Sequence, residues 1–357
     1  MNKNPVRTRG RVRRSLAQAV TAVLAAFGLV AASSVPAGAL TQEPAFEGLL
    51  GTVSFEVGGS YLPLPLLCGE DLDIFWYAPG PAADFIWRGI DPTGPTLAYT
   101  SRPVRVGGVY TPLVGDFDGD GCDDVFWYAP GPAADHVWYN NGPSGFTSRP
   151  ANVGGSYRPV VNYFDGNLAA DIYWYAPGAT RESIWSGVPG RRSFTSTRAP
   201  QVTGNYRPMP FTAGTGGGGV LWYGQGAGPD VITGVRAGST SPLFSWRTFI
   251  DEDFQANGFG GLPLLYAPGP ATDYLVIDAE AIGQDADLFV VPGSIDSATL
   301  RIGSTLTGPI AVLHGPGPEP DQLLFPLLEI TSAQEGSTDW SAMRRPATPL
   351  TELLGSD

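Results

Sequence analysis

The segment GDFDGDGCDDVFWYAPG, residues 115–131, joins an acidic loop to a β-strand, and parts of it recur along the chain, so it is the strongest indication of the fold. Four aspartates occupy loop positions 1, 3, 5 and 9, with glycines between them: Asp116, Asp118, Asp120 and Asp124. This spacing directs the carboxylates and the backbone carbonyl of Cys122 towards one point, where they repel one another unless a cation, usually Ca²⁺, lies among them. An EF-hand requires a glutamate at position 12 and flanking helices, whereas Trp127 stands there in a strand-forming run. The sequence therefore predicts a strand–loop–strand calcium site.

The strand that follows this loop belongs to an internal repeat. FWYAPGPAAD occurs at residues 75–84 and again at 126–135, and YWYAPG occurs at 173–178. The shared tryptophans are 51, 47 and 48 residues apart: Trp76, Trp127, Trp174 and Trp222. A period of about 40–50 residues with several short strands in each copy is typical of the blades of a β-propeller. The predicted fold class is therefore all-β, with four-stranded blades.

The later part of the chain leaves the number of blades open between six and seven. Three later turn markers, at 264–273, 289–296 and 312–321, bring the count of repeats to seven. These markers lie too close together for each to belong to a separate four-stranded blade. Counting strands gives six. The segment 52–57 has no blade before it, and we expect it to close the ring by joining the last blade, because closure removes exposed sheet edges. The propeller is predicted to span residues 52–350.

These motifs resemble the FG-GAP/VCBS repeat family, whose members include the propellers of integrin α-chains. The acidic loop followed by the YAPG turn at 128–131 carries the resemblance, which extends over residues 57–250. It implies Ca²⁺ as the cofactor and a role in adhesion or in the recognition of carbohydrate or protein. The third copy of the loop is less complete, because Tyr163 and Leu168 replace an aspartate and a glycine. It leaves a weaker second metal site at Asp165, Asn167 and Asp171.

The N-terminal residues 1–39 have the composition of a cleaved signal peptide. Six basic residues and no acid precede an apolar stretch at 16–35, and small residues at 37–39 form a cleavage site. A short segment, 40–51, then leads to the propeller, and 351–357 form a tail. No other stretch is apolar enough to span a bilayer, so we expect a secreted protein without a transmembrane anchor.

Removal of the signal peptide makes the chain strongly acidic. It leaves 15 basic residues against 34 acids, so the net charge changes from −13 to −19. A surface of this charge argues against nucleic acid and anionic membranes as partners, and it is suited to holding divalent cations. We expect a monomer whose partner is an extracellular carbohydrate or protein.

The two cysteines, Cys68 and Cys122, both lie in loops between the first and second strands of successive blades. Two cysteines in an oxidising compartment favour a disulfide, and the alternative is that Cys122 contributes only its carbonyl to the loop. The second-strand tryptophans are interpreted as packing between blades. The third-strand residues Trp138 and Trp185 are assigned to the same packing, with the alternative that they line a groove and stack on sugar rings.

Acidic residues also recur after each Pro-Gly turn, as Asp84, Asp135 and Asp230 show. A residue that is copied into every blade is typical of turn hydrogen bonding and not of catalysis.

The sequence contains no G-x-S-x-G elbow, H-E-x-x-H or Walker motif. Asp251 and Asp253 interrupt the repeat, either as a carboxylate pair for glycoside hydrolysis or as a solvated acidic loop. We therefore expect a binding module and not an enzyme. The alternatives are a polysaccharide-acting hydrolase on the same scaffold and a structural protein of the cell envelope.

Overall fold

The computed structural model describes residues 50–69, 71–91, 97–178, 181–212, 218–224 and 229–248, and the seven strands that follow up to residue 326. In this part of the chain the structure is all-β, apart from one short 3-10 helix at Gly142–Ser144. The predicted signal peptide at 1–39, the tail at 351–357 and the carboxylates Asp251 and Asp253 lie outside the described residues. No helix among the described residues is long and apolar enough to cross a membrane.

Within these residues, twenty-four strands form six four-stranded antiparallel sheets, which agree with the predicted blades. The first strand, β1 (Leu50–Phe55), belongs to the last sheet. Sheet 1 contains β2 (Leu62–Cys68), β3 (Asp71–Tyr77), β4 (Asp84–Asp91) and β5 (Ala98–Val104). Sheet 2 contains β6 (Thr111–Gly115), β7 (Asp124–Tyr128), β8 (Asp135–Asn140) and β9 (Phe146–Ala151). Sheet 3 contains β10 (Arg158–Asn162), β11 (Asp171–Tyr175), β12 (Ser183–Gly187) and β13 (Phe194–Arg198).

The remaining sheets follow the same order until the last one. Sheet 4 contains β14 (Arg207–Thr212), β15 (Gly218–Tyr223), β16 (Asp230–Gly234) and β17 (Phe244–Thr248). Sheet 5 contains β18 (Gln255–Phe259), β19 (Leu262–Tyr266), β20 (Asp273–Asp278) and β21 (Leu288–Gly293). Sheet 6 contains β22 (Arg301–Ser304), β23 (Ala311–His314), β24 (Asp321–Pro326) and β1.

Burial decreases from the second strand of a sheet to the fourth. All five residues of β7 are buried, as are all five of β11, because their aromatic and β-branched side chains are covered on both faces. The fourth strand forms one edge of its sheet and is mostly exposed, as β5 illustrates with six of its seven residues exposed. Pro150 lies in β9, where the missing N–H breaks no ladder hydrogen bond towards a further strand. The edge position that the sequence predicts for this proline is confirmed.

The repeated tryptophans pack between successive sheets. The ring centre of Trp127 in β7 lies 5.4 Å from the ring centre of Phe75 and 5.0 Å from that of Tyr77, both in β3 of the preceding sheet. Trp174 in β11 makes the same contacts one sheet further along, with Phe126 at 5.5 Å and Tyr128 at 5.1 Å. The predicted packing role is therefore confirmed for these two side chains, which are both almost fully buried.

In sheets 1, 2 and 3 a tyrosine at the end of the second strand links its sheet to the next repeat. The hydroxyl of Tyr128 donates to the carbonyl of Gly155 at 2.7 Å and accepts from the N–H of Tyr157 at 2.8 Å. Tyr77 does the same with Gly108 and Tyr110. The recurrence of the VGGxY motif in the sequence thus follows from a repeated contact between sheets.

The aspartates after the Pro-Gly turns of sheets 1 and 2 have a structural role, as the sequence predicts. Asp135 is 1% exposed; its Oδ1 accepts from the N–H of Ala129 and its Oδ2 from the N–H of Val153, both at 2.8 Å. Asp84 binds the N–H groups of Ala78 and Val106 at the same distances. One carboxylate therefore ties the turn to the segment that enters the next sheet.

The N-terminal strand pairs with the last strand of the described chain. β1 is antiparallel to β24 over six residue pairs, from Leu50 opposite Pro326 to Phe55 opposite Asp321. The ring of Phe55 then contacts Trp76 at 5.8 Å and Trp87 at 5.4 Å, both in sheet 1. The strand lies two residues earlier than the predicted segment 52–57, because pairing with β24 ends at Phe55.

Candidate calcium centre

The acidic loop of sheet 2 brings three carboxylates together. Oxygen atoms of Asp116, Asp118 and Asp120 lie within 4.8 Å of one another, and among the described residues no other three acidic or sulfur- or imidazole-bearing side chains converge in this way. Asp116 and Asp118 are 1% and 5% exposed, whereas Asp120 is exposed to solvent. Converging hard oxygen atoms at a solvent-accessible point match the ligand preference of Ca²⁺.

The loop is held in this shape by its own backbone. Oδ1 of Asp116 accepts from the N–H of Asp120 at 3.1 Å, and its Oδ2 accepts from Gly121 at 3.0 Å. Gly119 has a positive φ of 70°, and a Cβ at this position would lie 3.3 Å from Pro189 in sheet 3. The positive φ therefore favours glycine strongly, and a side chain here would also make a tight contact with Pro189.

Sheet 1 is joined to one side of the loop. A disulfide connects Cys68, at the end of β2, with Cys122 in the loop. Next to it, the N–H of Gly69 donates to the carbonyl of Gly121 at 3.1 Å. Asp123 completes the junction, because its N–H donates to the carbonyl of Leu67 at 2.6 Å and its Oδ2 accepts from the N–H of Leu67 at 2.9 Å.

Sheet 3 is joined to the other side. The N–H of Ala170 donates to the carbonyl of Asp116 at 2.7 Å, and the N–H of Gly190 donates to the carbonyl of Asp118 at 2.6 Å. The guanidinium of Arg192 lies 3.2 Å from Oδ2 of Asp118 and 5.3 Å from the ring centre of Tyr139. The loop therefore lies at a junction of three sheets, and a cation bound there shares Asp118 with an arginine.

Asp124 follows the cluster as the first residue of β7 and is fully buried. Its Oδ2 accepts from the N–H of Phe117 at 2.9 Å, and its Oδ1 accepts from the N–H of Asn140 at 2.8 Å. Burial raises the pKa of Asp124 from its ordinary value of 3.8 to about 9, and the charges of Asp118 and Asp116 add to the rise. Its participation in metal binding, like that of the Cys122 carbonyl, stays a prediction.

This pKa gives a pH dependence whose sign is defined. A carboxyl whose pKa is raised on folding stabilises the fold fully below about pH 4, and this stabilisation is lost as the pH rises towards about 9. We expect the melting temperature of the protein in EGTA to fall between about pH 5 and about pH 9. Calcium favours the charged carboxylates, so its stabilising effect should grow over the same range. Differential scanning calorimetry with and without Ca²⁺ measures both trends, and a melting temperature that rises with pH in EGTA contradicts them.

The less complete loop in sheet 3 also turns tightly, but its side chains differ from those of the acidic loop in sheet 2. Asn167 donates from Nδ2 to Oδ2 of Asp165 at 2.6 Å, so an amide occupies an oxygen that the predicted metal would need. Asp171 is buried and accepts from the N–H groups of Phe164, Asp165 and Gly187. Burial raises its pKa to about 7, and the charge of Asp165 contributes. This loop brings two carboxylates and an amide near each other, and its metal binding stays a prediction.

Substitution of Asp118 tests which loop binds the ion. In Asp118→Ala we expect the calcium-dependent rise in melting temperature to disappear, because a buried ligand of the three-carboxylate cluster is lost. The matched variant Asp165→Ala should keep most of the rise. Thermal unfolding with titrated Ca²⁺ gives the affinity, expected on the order of 10⁻⁴–10⁻³ M as in extracellular modules. A rise that is unchanged in Asp118→Ala and lost in Asp165→Ala would reverse the assignment.

The disulfide has a measurable consequence because it lies within the loop. Non-reducing mass spectrometry of protein purified without reductant should find Cys68 linked to Cys122 and no alkylatable thiol. The double variant Cys68→Ser/Cys122→Ser should lose about 2–5 kcal/mol of stability. It should also bind Ca²⁺ more weakly, because the loop loses its covalent link to sheet 1 and keeps only hydrogen bonds there. Equal calcium affinity in this variant and the parent protein argues against that coupling.

The two tryptophans proposed for ligand stacking lie in third strands and are half-buried. Trp138 meets Trp127 edge to face at 5.5 Å, and Trp185 meets Trp174 in the same way. Each therefore packs against the core while part of its surface reaches solvent. The structure places them one sheet apart and does not bring them into one groove.

Sequence reasoning missed two residues of the calcium loop's surroundings. Asp123 and Arg192 hold the loop to sheet 1 and sheet 3, respectively. The sequence does contain a signal for Asp123. The third copy of the loop has Ala170 at the equivalent position, so the aspartate is a difference between the copies. For Arg192 no pattern in the sequence indicates the contact, which spans 74 residues.

Comparisons with known proteins support the repeat, and those with solved structures carry no argument about function. Residues 108–145, which contain the acidic loop, match the model of the FG-GAP repeat. No curated protein sequence matches the chain. Among solved structures, a Bacteroides ovatus protein assigned provisionally to the glycoside hydrolases is similar at 11% identity and a TM-score of 0.33, covering 67% of this chain and 87% of its own. A structure of ctPRC2 in complex with H3K27me3 and H3K27M is similar at 12% identity and a TM-score of 0.38, covering 79% and 67%. At these scores neither structure carries an argument about function.

Proposed function

Because residues 108–145 carry an FG-GAP repeat whose acidic loop forms the three-carboxylate cluster, we propose that the protein is a secreted, calcium-binding β-propeller. It acts as a non-catalytic module that recognises a carbohydrate or protein ligand outside the cell. The coincidence of repeat and cluster is the observation that carries the proposal, since the loop has both the sequence and the converged oxygen atoms that the repeat uses for Ca²⁺. Export rests on the signal-like composition of residues 1–39.

The propeller has six blades in this proposal, and its ring is closed by β1. The support comes from contacts between the first strands of the sheets, which run from β2 to β6, β10, β14, β18 and β22. β22 in turn contacts β2, so the series returns to its start. Pairing of β1 with β24 supplies the fourth strand of sheet 6 and leaves no sheet with three strands among those described. Seven blades would require a further sheet that the turn markers alone do not provide.

Calcium has a structural role here, because its ligands lie at the junction of three sheets. Asp116, Asp118 and Asp120 would hold the ion, with Asp124 and the carbonyl of Cys122 as additional ligands. The ion supplies positive charge that offsets the repulsion between these carboxylates. The loop backbone transmits this stabilisation to sheet 1 through Gly121 and to sheet 3 through Asp116 and Asp118.

Several described acidic side chains already accept structural hydrogen bonds, and this favours recognition over catalysis. Asp84 and Asp135 accept backbone N–H groups on both oxygens, and Glu182 accepts from Tyr173 and from the N–H of Val202. These carboxylates link neighbouring segments of the fold. A carboxylate used in this way is unsuited to proton transfer, because protonation would break a buried hydrogen bond.

A glycan array and a pull-down from extracellular material test this proposal, each with Ca²⁺ and with EGTA. We expect binding that weakens in EGTA, and no release of reducing ends when the bound polysaccharide is incubated with the protein. Asp118→Ala should weaken binding only as far as it destabilises the fold. Release of reducing ends that is lost in an Asp251→Ala/Asp253→Ala variant would establish the hydrolase instead. Absence of any ligand in both assays would leave a structural role.

A further inference from the structure

A pocket lies between sheet 1 and sheet 2, on the part of the surface where β4 and β5 face β8 and β9. Its volume is about 370 Å³, which is enough for one or two sugar rings. Two arginines, two aromatic side chains and two serines line it: Arg88, Arg102, Trp138, Phe146, Ser144 and Ser148. We refer to these six residues as the sheet 1–2 pocket.

Arg88 is held in one position by the surrounding structure. Its Nη1 lies 2.7 Å from Oδ2 of Asp73, and its guanidinium carbon lies 5.3 Å from the ring centre of Phe146. The side chain is 14% exposed, so only a part of the guanidinium is available to a ligand. An arginine fixed by an ion pair and an aromatic face loses little conformational entropy when it binds an anion.

Arg102 supplies the second positive charge. It is exposed on β5 opposite Ile86 and forms no ion pair with a described residue. Asp73 balances the charge of Arg88, which leaves the pocket with a net positive charge on a protein of net charge −13. At physiological ionic strength charges are screened beyond about 8 Å, so this local charge dominates for a small ligand in the pocket.

The pocket contains a residue that differs between the copies of the repeat. The residue that follows the third-strand tryptophan is Arg88 in sheet 1, Tyr139 in sheet 2 and Ser186 in sheet 3. Packing and turn roles are copied from sheet to sheet, as the tryptophans and the turn aspartates show. A partly buried arginine that occurs in one of these three copies has no such role in the repeat.

We propose that the sheet 1–2 pocket binds one carboxylate-bearing sugar, a uronic acid within an otherwise neutral oligosaccharide. The guanidinium groups of Arg88 and Arg102 pair with the carboxylate, since a guanidinium fork matches carboxylate geometry. Trp138 and Phe146 contact the apolar face of the ring, and Ser144 and Ser148 are placed to bind its hydroxyl groups. A densely charged polyanion is disfavoured, because the rest of this acidic protein repels it. This assignment rests on the proposed function and names its ligand class.

The test compares two oligosaccharides that differ by one carboxylate. Isothermal titration calorimetry at saturating Ca²⁺ would use a xylo-oligosaccharide carrying a single glucuronic acid and the same backbone without it. We expect the acidic ligand to bind at least about tenfold more tightly, and Arg102→Gln to remove this preference. Arg149→Gln is the matched control, because Arg149 is exposed at the same place in β9 and does not line the pocket. It should keep the preference.

Trp138→Ala separates stacking from charge, since it should weaken the acidic and neutral ligands alike. The folding of Trp138→Ala is checked by circular dichroism. If Trp138→Ala unfolds, Arg102→Gln still tests the proposal, because Arg102 is exposed. Equal affinity for both oligosaccharides, no measurable binding of the acidic one, or a preference that survives Arg102→Gln overturns the proposal. A peptide that binds through its C-terminal carboxylate with the same dependence on Arg102 overturns the assignment to a sugar.

These results are distinguishable from failure of the proposed function. If the glycan array or the pull-down shows ligands without any preference for acidic sugars, the protein remains a recognition module and only the pocket assignment is wrong. If neither assay shows a ligand, the recognition role itself is wrong.

Discussion

Asp135→Ala is expected to lower the free energy of unfolding by about 2–6 kcal/mol. The carboxylate is 1% exposed and accepts from two backbone N–H groups, those of Ala129 and Val153. Alanine leaves both donors buried without an acceptor, and each such loss costs about 1–3 kcal/mol. Because Val153 leads from sheet 2 towards sheet 3, the variant should also loosen the junction between these sheets. Urea unfolding at saturating Ca²⁺ measures the change.

Two further variants control this experiment. Asp71→Ala removes an exposed carboxylate at the start of β3 and should change stability by less than about 0.5 kcal/mol. Asp135→Asn keeps the shape of the side chain but offers one acceptor in place of two, so its loss of stability should be smaller than that of Asp135→Ala. A loss below about 1 kcal/mol in Asp135→Ala means that water or a shifted backbone satisfies the donors, and the linking role would then be wrong.

Removal of the chain up to and including Phe55 is expected to make the protein aggregate and to lower its melting temperature. β24 would lose its partner over six residue pairs and expose a row of unpaired N–H and C=O groups. The contacts of Phe55 with Trp76 and Trp87 would also be lost, which uncovers part of the core of sheet 1. Size-exclusion chromatography with light scattering, together with the melting temperature, measures both consequences.

A peptide added in trans provides the decisive control for this truncation. The peptide LGTVSFEV, residues 50–57, should restore monomers and stability when it is added to the shortened protein, because it re-forms the strand on β24. A scrambled peptide should not. Phe55→Ala in the full chain isolates the side-chain contacts, and it should lower stability without causing aggregation. A shortened protein that stays monomeric and equally stable contradicts closure by β1.

Most of the acidic loop could be predicted because its information is local. Asp116, Asp118 and Asp120 lie within five consecutive residues, and their convergence follows from alternate spacing and glycine conformations. The position of Asp124 could be predicted, but its environment could not. Both its oxygens accept N–H groups, and one of these donors, Asn140, comes from a different strand.

The all-β class, the four-stranded unit with its period, and the roles of recurring residues could all be predicted from the sequence. Repetition makes these features visible, because the first four sheets use the same residue types for the same contacts: a tryptophan and then a tyrosine in the second strand, and an acidic residue after the turn. The pairing of the first strand with the last could also be anticipated, since an unpaired strand at one end of the chain needs a partner.

The tertiary structure alone decided how different sheets meet. Arg192 reaches Asp118 across 74 residues, and the pocket with Arg88 and Arg102 exists only because sheet 1 faces sheet 2 at that place. It also separated Trp138 from Trp185, which the repeat makes equivalent. The physical reason is that a period specifies contacts common to all blades, whereas a site made by two particular sheets depends on residues in which the copies differ.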